Sequence, residues 1–380
     1  MRLSDVRVER MTDGFRVSGR FEREDGPLGE LYYEASGGAE PPSPEMGVAA
    51  LLAAALPSTV WLGEDLRTDE PCDEAFARRA TRIARGIALL HGLSPKTQVA
   101  APFAHSAPRE GRVVAASFSG GVDSFYTLFA HRNPEGPLPL GALVTVLGFD
   151  KSQDEAAGFG DLLDDVRATA DGEGLRLFPI RTNFRTLFEN SGDWGSLTHG
   201  GLLASLGFLL SGSVHTYLVP SSYPIDGLFA WGSHPMIDDA HVSSHTRIVH
   251  DAWHLNRNEK LPPMADWSPL LERVRVCART RAGRNCGRCE KCIRTKLLFY
   301  LNDRLEAATA LGTELTPEMV RGLVMKNRHK IAWYEELGAI ARRRPEHAWV
   351  ARAIRYAVAR SRWRGFCRRS WNAVRGASDR

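Results

Sequence analysis

Ser119-Gly120-Gly121-Val122-Asp123-Ser124 follows the apolar run Val113-Val114-Ala115-Ala116 and precedes Phe125-Tyr126-Thr127-Leu128-Phe129-Ala130. That order reads as a strand, a glycine loop and a helix. Adjacent glycines let the backbone take positive φ and come close to a ligand, and the helix that follows offers unpaired N–H groups and the positive end of its dipole. A phosphate or pyrophosphate suits such a place. The lysine of GxxxxGK[ST] is missing and no GxGxxG occurs, which excludes an ordinary P-loop and a dinucleotide fingerprint. A plain turn would need neither Asp123 nor Ser124.

Working outward, the chain from residue 112 alternates strand and helix. Strands are predicted at 113–117, 142–149, 175–180 and 215–219, and helices at 123–131, 153–171 and 197–210. This is the pattern of an α/β doubly wound parallel sheet. Ligands bind such sheets at the carboxyl ends of the strands, which groups Asp150, Arg181 and the turn Pro220-Ser221-Ser222-Tyr223-Pro224 with the glycine loop. Residues 221–271 are loop-rich, with a helix-like stretch over 243–260, and are where a substrate would be read. There His241 and His245, and again His250 and His254, stand four apart and could share a helix face, although no third ligand accompanies them.

Residues 1–108 form an N-terminal α+β accessory domain in this reading, with strands at 6–10, 15–21 and 31–34 and helices at 46–56 and 73–92. The core domain runs over 109–300, and 301–380 form a helical extension in which Thr316-Pro317 is a helix start. The extension ends basic: Arg342, Arg343, Arg344, Arg352, Arg355, Arg360, Arg362, Arg364, Arg368 and Arg369, with Trp349, Trp363 and Trp371 between them. Such a stripe can hold the phosphates of a nucleic acid and stack its bases. A solvated or membrane-surface helix gives the same pattern. Residues 1–108 are the expected contact for a protein partner.

The 380 residues carry a formal charge of +4 and the composition of a globular protein. No apolar leader opens the chain, and the runs at 48–56 and 202–210 are too short to span a bilayer, so no membrane span and a cytoplasmic location are expected. Four of the six cysteines, Cys277, Cys286, Cys289 and Cys292, give C-x8-C-x2-C-x2-C, which points to a metal in a reducing compartment. Four thiolates without histidine suit tetrahedral Zn²⁺ in a closed structural site, with Gly287 turning the chain between ligands; an iron–sulfur cluster stays open as the competitor.

Together, SGGVDS and Cys286-Gly287-Arg288-Cys289-Glu290-Lys291-Cys292 resemble the 7-cyano-7-deazaguanine synthase branch of the PP-loop ATP pyrophosphatase superfamily over about 111–300. The resemblance implies an adenine nucleotide α hydrolase-like fold and an ATP-dependent ligase. Such an enzyme adenylates the carboxylate of a 7-deazapurine, releases pyrophosphate, and lets ammonia or an amine displace AMP. Carried over, Ser117, Ser119, Gly120, Gly121, Val122, Asp123 and Ser124 would hold ATP with Mg²⁺, Asp123 and Ser124 being catalytic, and the four cysteines would hold Zn²⁺. Asp150 and Arg181 would complete the nucleotide site, Arg181 against the α-phosphate. The chain departs from the family pattern at Phe149-Asp150-Lys151-Ser152-Gln153, Thr198-His199-Gly200-Gly201 and Tyr223-Pro224-Ile225-Asp226. The acceptor is therefore a small-molecule carboxylate or, as in family members of bacterial defence and modification systems that carry similar additions, a macromolecule. Two other readings stay open: a tRNA-modifying PP-loop thiolase, and a non-catalytic nucleotide-binding scaffold.

Overall fold

The structure is a computed structural model that describes residues 1–149, 156–277, 285–325 and 327–378, with backbone alone at 156–158 and 365–378. Apolar and polar residues alternate to form three long antiparallel strands, β1 (Arg2–Met11), β2 (Gly14–Arg23) and β3 (Gly26–Ala35). They are followed by α1 (Pro44–Leu62), β4 (Leu66–Thr68), β5 (Cys72–Asp73), α2 (Glu74–Leu90), β6 (Val99–Ala100) and β7 (Phe103–Ala104). The chain then alternates through β8 (Val113–Ser117), α3 (Val122–His131), β9 (Leu140–Leu147), α4 (Ala156–Gly172) and β10 (Arg176–Thr182). After these come α5 (Phe184–Leu187), α6 (His199–Leu209), β11 (Val214–Pro220), α7 (Pro235–Asp238) and β12 (Arg247–Asp251).

Ten of these strands form one sheet in the order β12-β11-β8-β9-β10-β3-β2-β1-β4-β6. From β10 to β12 the five neighbours are parallel. Numbered along the chain they run 3-2-1-4-5, the doubly wound order, and the direction of winding reverses between β8 and β11. β3 adds to β10 antiparallel, with Ala35 opposite Ile180 and Tyr33 opposite Thr182. The expected boundary at 108 therefore falls inside a continuous sheet. The described residues divide instead into two compact units, Met1–Asn256 and those from Arg257 onward.

Every residue of α1 from Glu45 to Val60 is buried. By length and composition this helix could cross a membrane, but 89% of its most apolar window lies inside the unit, packed on the strands, α2 and α6. Pro57 has no N–H for Ala53 O, and α6 closes on that gap through Gly201, where a Cβ would stand 2.6 Å from Pro57 Cγ and 2.7 Å from Ala53 O. Ala115, Val144, Phe178, Ile180 and Tyr217 face this core. Their neighbours Val114, Ala116, Leu143 and Leu218 are buried on the opposite face, where α3 and α4 pack.

The stretch expected to be helical over 243–260 is mostly otherwise. Arg247-Ile248-Val249-His250-Asp251 alternates outward and inward and pairs parallel to β11, so it is a strand. Only Arg257–Lys260 is helical there. The four histidines consequently share no helix face: His241 Nδ1 bonds Ile237 O (2.9 Å), His245 Nε2 bonds Ser106 Oγ (2.9 Å), and His250 Nδ1 bonds Asp238 Oδ2 (2.7 Å).

The second unit is helical: α8 (Arg257–Lys260), α9 (Ser268–Arg273), α10 (Glu290–Leu301), α11 (Pro317–Arg321), α12 (Arg328–Ala341) and α13 (Ala348–Ser378). Thr316 caps α11 by accepting Met319 N–H (3.3 Å), with Pro317 in the first turn, as its sequence predicts. Glu290 at the start of α10 accepts from Lys330 (2.8 Å) and Tyr334 (3.1 Å) of α12.

Candidate functional site

The glycine loop leaves the carboxyl end of β8 at the switch point. Gly120 takes φ +73°, a left-handed conformation that a side chain would strain, and Gly121 in extended conformation precedes the first turn of α3. The first bond of that turn runs from Phe125 N–H to Gly121 O (3.0 Å), so the N–H groups of Val122, Asp123 and Ser124 have no acceptor inside the helix. Ser124 Oγ donates to Gly121 O (2.9 Å) and fixes the loop rather than reaching outward. Ser117 is engaged below, its Oγ 2.5 Å from the hydroxyl of buried Tyr217. Ser119 is exposed at the tip, while Val122 packs into the core.

Asp123 is only 8% exposed, and Ser222 Oγ donates to its Oδ2 at 3.4 Å. The structure thus joins the loop after β8 to the turn after β11. A second carboxylate, Asp251 at the end of β12, accepts from Thr127 Oγ1 (2.6 Å) and pairs with His131 Nε2 (2.9 Å), both on α3. Its backbone O accepts Ser221 N–H (2.9 Å). Sequence reasoning missed Asp251; the alternation of Arg247 to Asp251 was the available signal. Hydrogen bonding to Asp251, outweighing partial burial, raises the pKa of His131. Arg181 lies exposed at the end of β10, paired across β9 and β3 with Leu147 and Glu34. It stands two strands, about 10 Å, from β8. Asp150 lies outside the described residues.

Beside the turn after β11 stands a run of half-buried rings that sequence reasoning also missed. Trp194 meets Phe149 (5.5 Å between centroids) and His199 (5.9 Å); His199 meets Trp231 (5.4 Å). Trp231 in turn meets Tyr223 (5.7 Å) and Phe229 (5.6 Å). These rings come from the loops after β9 and β11 and from the turn preceding α6, all connections at one end of the sheet. Gly200 allows the close approach: a Cβ there would stand 1.8 Å from Gly232 O.

In the second unit, Cys277, Cys286, Cys289 and Cys292 bring their sulfurs within 4.8 Å of one another. Cys289–Cys292, Cys277–Cys289 and Cys286–Cys292 are 3.4, 3.8 and 4.0 Å apart. Four thiolates bound at ~2.3 Å to one tetrahedral ion stand ~3.8 Å apart, so this set can hold a metal ion such as zinc. Asn285 shapes it, Oδ1 accepting Val276 N–H (3.0 Å) and Cys277 N–H (3.2 Å) and Nδ2 donating to Val274 O (2.7 Å) and Ala310 O (2.9 Å). Gly287, at φ +69°, makes the turn, and Cys289 N–H points at Cys286 Sγ (3.3 Å). Burial pushes the Cys289 and Cys292 thiols up, which a bound cation would reverse. Buried Lys296 donates to Glu314 O (2.9 Å) beneath the turn and offsets some of the charge of four thiolates.

Fold and sites define a class: a doubly wound α/β unit with a glycine loop and a carboxylate at its switch point, continued by a helical unit with four thiols that can hold a metal ion. Comparison with known protein families, curated proteins and solved structures finds no match.

Proposed function

We propose that the chain is an ATP-dependent adenylating ligase of the PP-loop type, resembling 7-cyano-7-deazaguanine synthase. The carrying observation is the glycine loop, with Gly120 left-handed and Asp123 buried at the first turn of α3, at the point where the sheet's winding reverses. The first-turn N–H groups of α3, which make no bond within the helix, would bind pyrophosphate. Asp123 beside them would repel it alone, so Asp123 would hold a divalent cation such as Mg²⁺, which would supply positive charge against the leaving group. Asp123 would supply that cation's oxygen donor, and Ser222 and Ser124 hold the carboxylate and the loop in position.

The acceptor carboxylate oxygen attacks the α-phosphorus and pyrophosphate departs; an amine nitrogen then attacks the acyl carbon and AMP departs. A carboxylate is already ionised at neutral pH, so positioning contributes most. The rings of Trp194, His199, Trp231, Tyr223 and Phe229 favour a planar heteroaromatic acceptor of the 7-deazapurine kind. Thiolation gains no support from Cys72, which is wholly buried in the core with its thiol pushed up by that burial; the side chain of Cys367, the other cysteine outside the cluster, lies outside the described residues. At the four-thiol site the sulfur spacing leaves room for one ion and favours zinc over a cluster of several irons.

ATP–pyrophosphate exchange against 7-carboxy-7-deazaguanine tests the reading. AMP and pyrophosphate are the expected products, and Asp123→Asn lowers exchange by about 100-fold or more. ADP and phosphate as products would sink it.

A further inference from the structure

The last helix is two-faced. Val350, Ala353, Ile354, Ala357, Val358 and Ser361 are buried at i, i+3, i+4 spacing, and α13 packs on α11 and α12. The outward stripe is Arg352, Arg355, Tyr356, Ala359, Arg362 and Trp363, with Tyr356 56% and Trp363 67% exposed. From Ala348 to Ser378 the helix carries arginines and no acidic residue. On one flank Arg352, Arg355, Tyr356 and Arg360 form a groove of about 790 Å³ with Arg321 and Glu318 of α11. Arg360 is anchored there on Gly322 O (2.7 Å) and Leu323 O (3.1 Å). On the other flank Arg355 and Arg362 share a groove of about 490 Å³ with Arg342 and Glu335. Arg355 stands on the crest between them, and among the described residues neither Arg352 nor Arg355 pairs with a carboxylate.

We propose that this face of the second unit binds a single-stranded polynucleotide, its arginines against phosphates and Tyr356 and Trp363 stacked on bases. Seven residues separate the two rings, about 10 Å along the helix axis. Guanidiniums interleaved with exposed aromatic planes are the chemistry of single-strand recognition, where unstacked bases offer their faces. A bilayer fits less well: among the described side chains of α13, Val350, Ala353, Ile354, Ala357 and Val358 are buried and the exposed residues form no aliphatic stripe to insert. An acidic peptide would use the arginines but give the aromatic planes nothing to stack. The inference goes beyond adenylation and stands without it.

Fluorescence anisotropy of the full chain, without ATP, against labelled RNA and DNA single strands of the same sequence and about 20 nucleotides tests it. Affinity should fall between about 50 and about 200 mM salt with a logarithmic slope near −2 to −3, for three or four arginines at about −0.7 each. Arg352→Glu with Arg355→Glu should weaken binding at least tenfold and flatten that slope. Tyr356→Ala should weaken it several-fold and leave the slope unchanged. Arg7→Glu, exposed on β1, is the control for a charge reversal elsewhere on the chain and should change neither. All four side chains are exposed, and circular dichroism checks that each variant folds. A preference for RNA or for DNA names the source and supports the proposal either way. Salt-independent binding, equal binding by the double variant, or binding only to anionic phospholipid vesicles would overturn it.

Discussion

Both units bury apolar side chains, and they differ in what their folds converge on. In the first, α1 is buried from Glu45 to Val60 between the sheet and α6, and apolar area supplies the stability. In the second, polar anchors such as Asn285, Glu290 and Lys296 surround four sulfurs, two of them half-buried. With a cation held by the four thiols, the second unit would depend on it in a way that a unit built on a buried, largely apolar helix would not. The functional loops follow the same division. The glycine loop of the first unit is shaped by strand order, whereas the outward arginines of the second are carried on a helix seated on α11 and α12.

Metal removal breaks that comparison hardest. Chelation, or Cys289→Ser with Cys292→Ser, should lower the melting point of the second unit by about 10 °C or more and leave the first unit's transition in place. Hydrogen exchange resolved along the chain measures this, and equal loss of protection in β8–β11 would contradict it. Next in size, Leu52→Ala in the middle of α1 should cost about 2–5 kcal/mol in the first unit, read from urea midpoints, with metal content unchanged. Gly200→Ala comes third, at about 1–3 kcal/mol, because its Cβ meets the backbone of Gly232 and must push the Trp231 loop away. A matching change in tryptophan fluorescence is expected, since Trp231 and Trp194 sit on either side of His199.

What was legible in the sequence was what is local. The strand-loop-helix about Gly120 needs only neighbours along the chain, and β8 spans the predicted 113–117. The cysteine spacing likewise brings the sulfurs of Cys286, Cys289 and Cys292 together through one turn at Gly287. The pairing of β3 with β10 joins residues more than 140 positions apart through backbone groups that carry no residue signature, so residues 1–108 read as a separate domain. β12 was hidden because its five residues stand among histidines and serines whose spacing imitates a helix. The ring cluster was hidden for a third reason: its members come from three separate connections and meet only at one end of the sheet.

The smallest expected effect probes the switch point itself. His131 closes α3 and pairs with Asp251 at 2.9 Å, and a cation at a helix carboxyl end is further favoured by the helix dipole. Its folded pKa lies above the ordinary value of 6.5 through the bond to Asp251. The folded state therefore holds the proton more tightly than the unfolded chain. The resulting stability is fully present below about pH 6.5 and is lost as the pH rises through the raised folded value. The pair is partly solvated, so its worth is about 1 kcal/mol or less. His131→Gln should consequently cost more at about pH 5.5 than at about pH 9, measured from urea midpoints, and the His131 ring proton should titrate above 6.5 by NMR and fall back in Asp251→Asn. A cost that grew with pH would mean that His131 is buried as a neutral ring. In that case Asp251 would be held by Thr127 and not by charge.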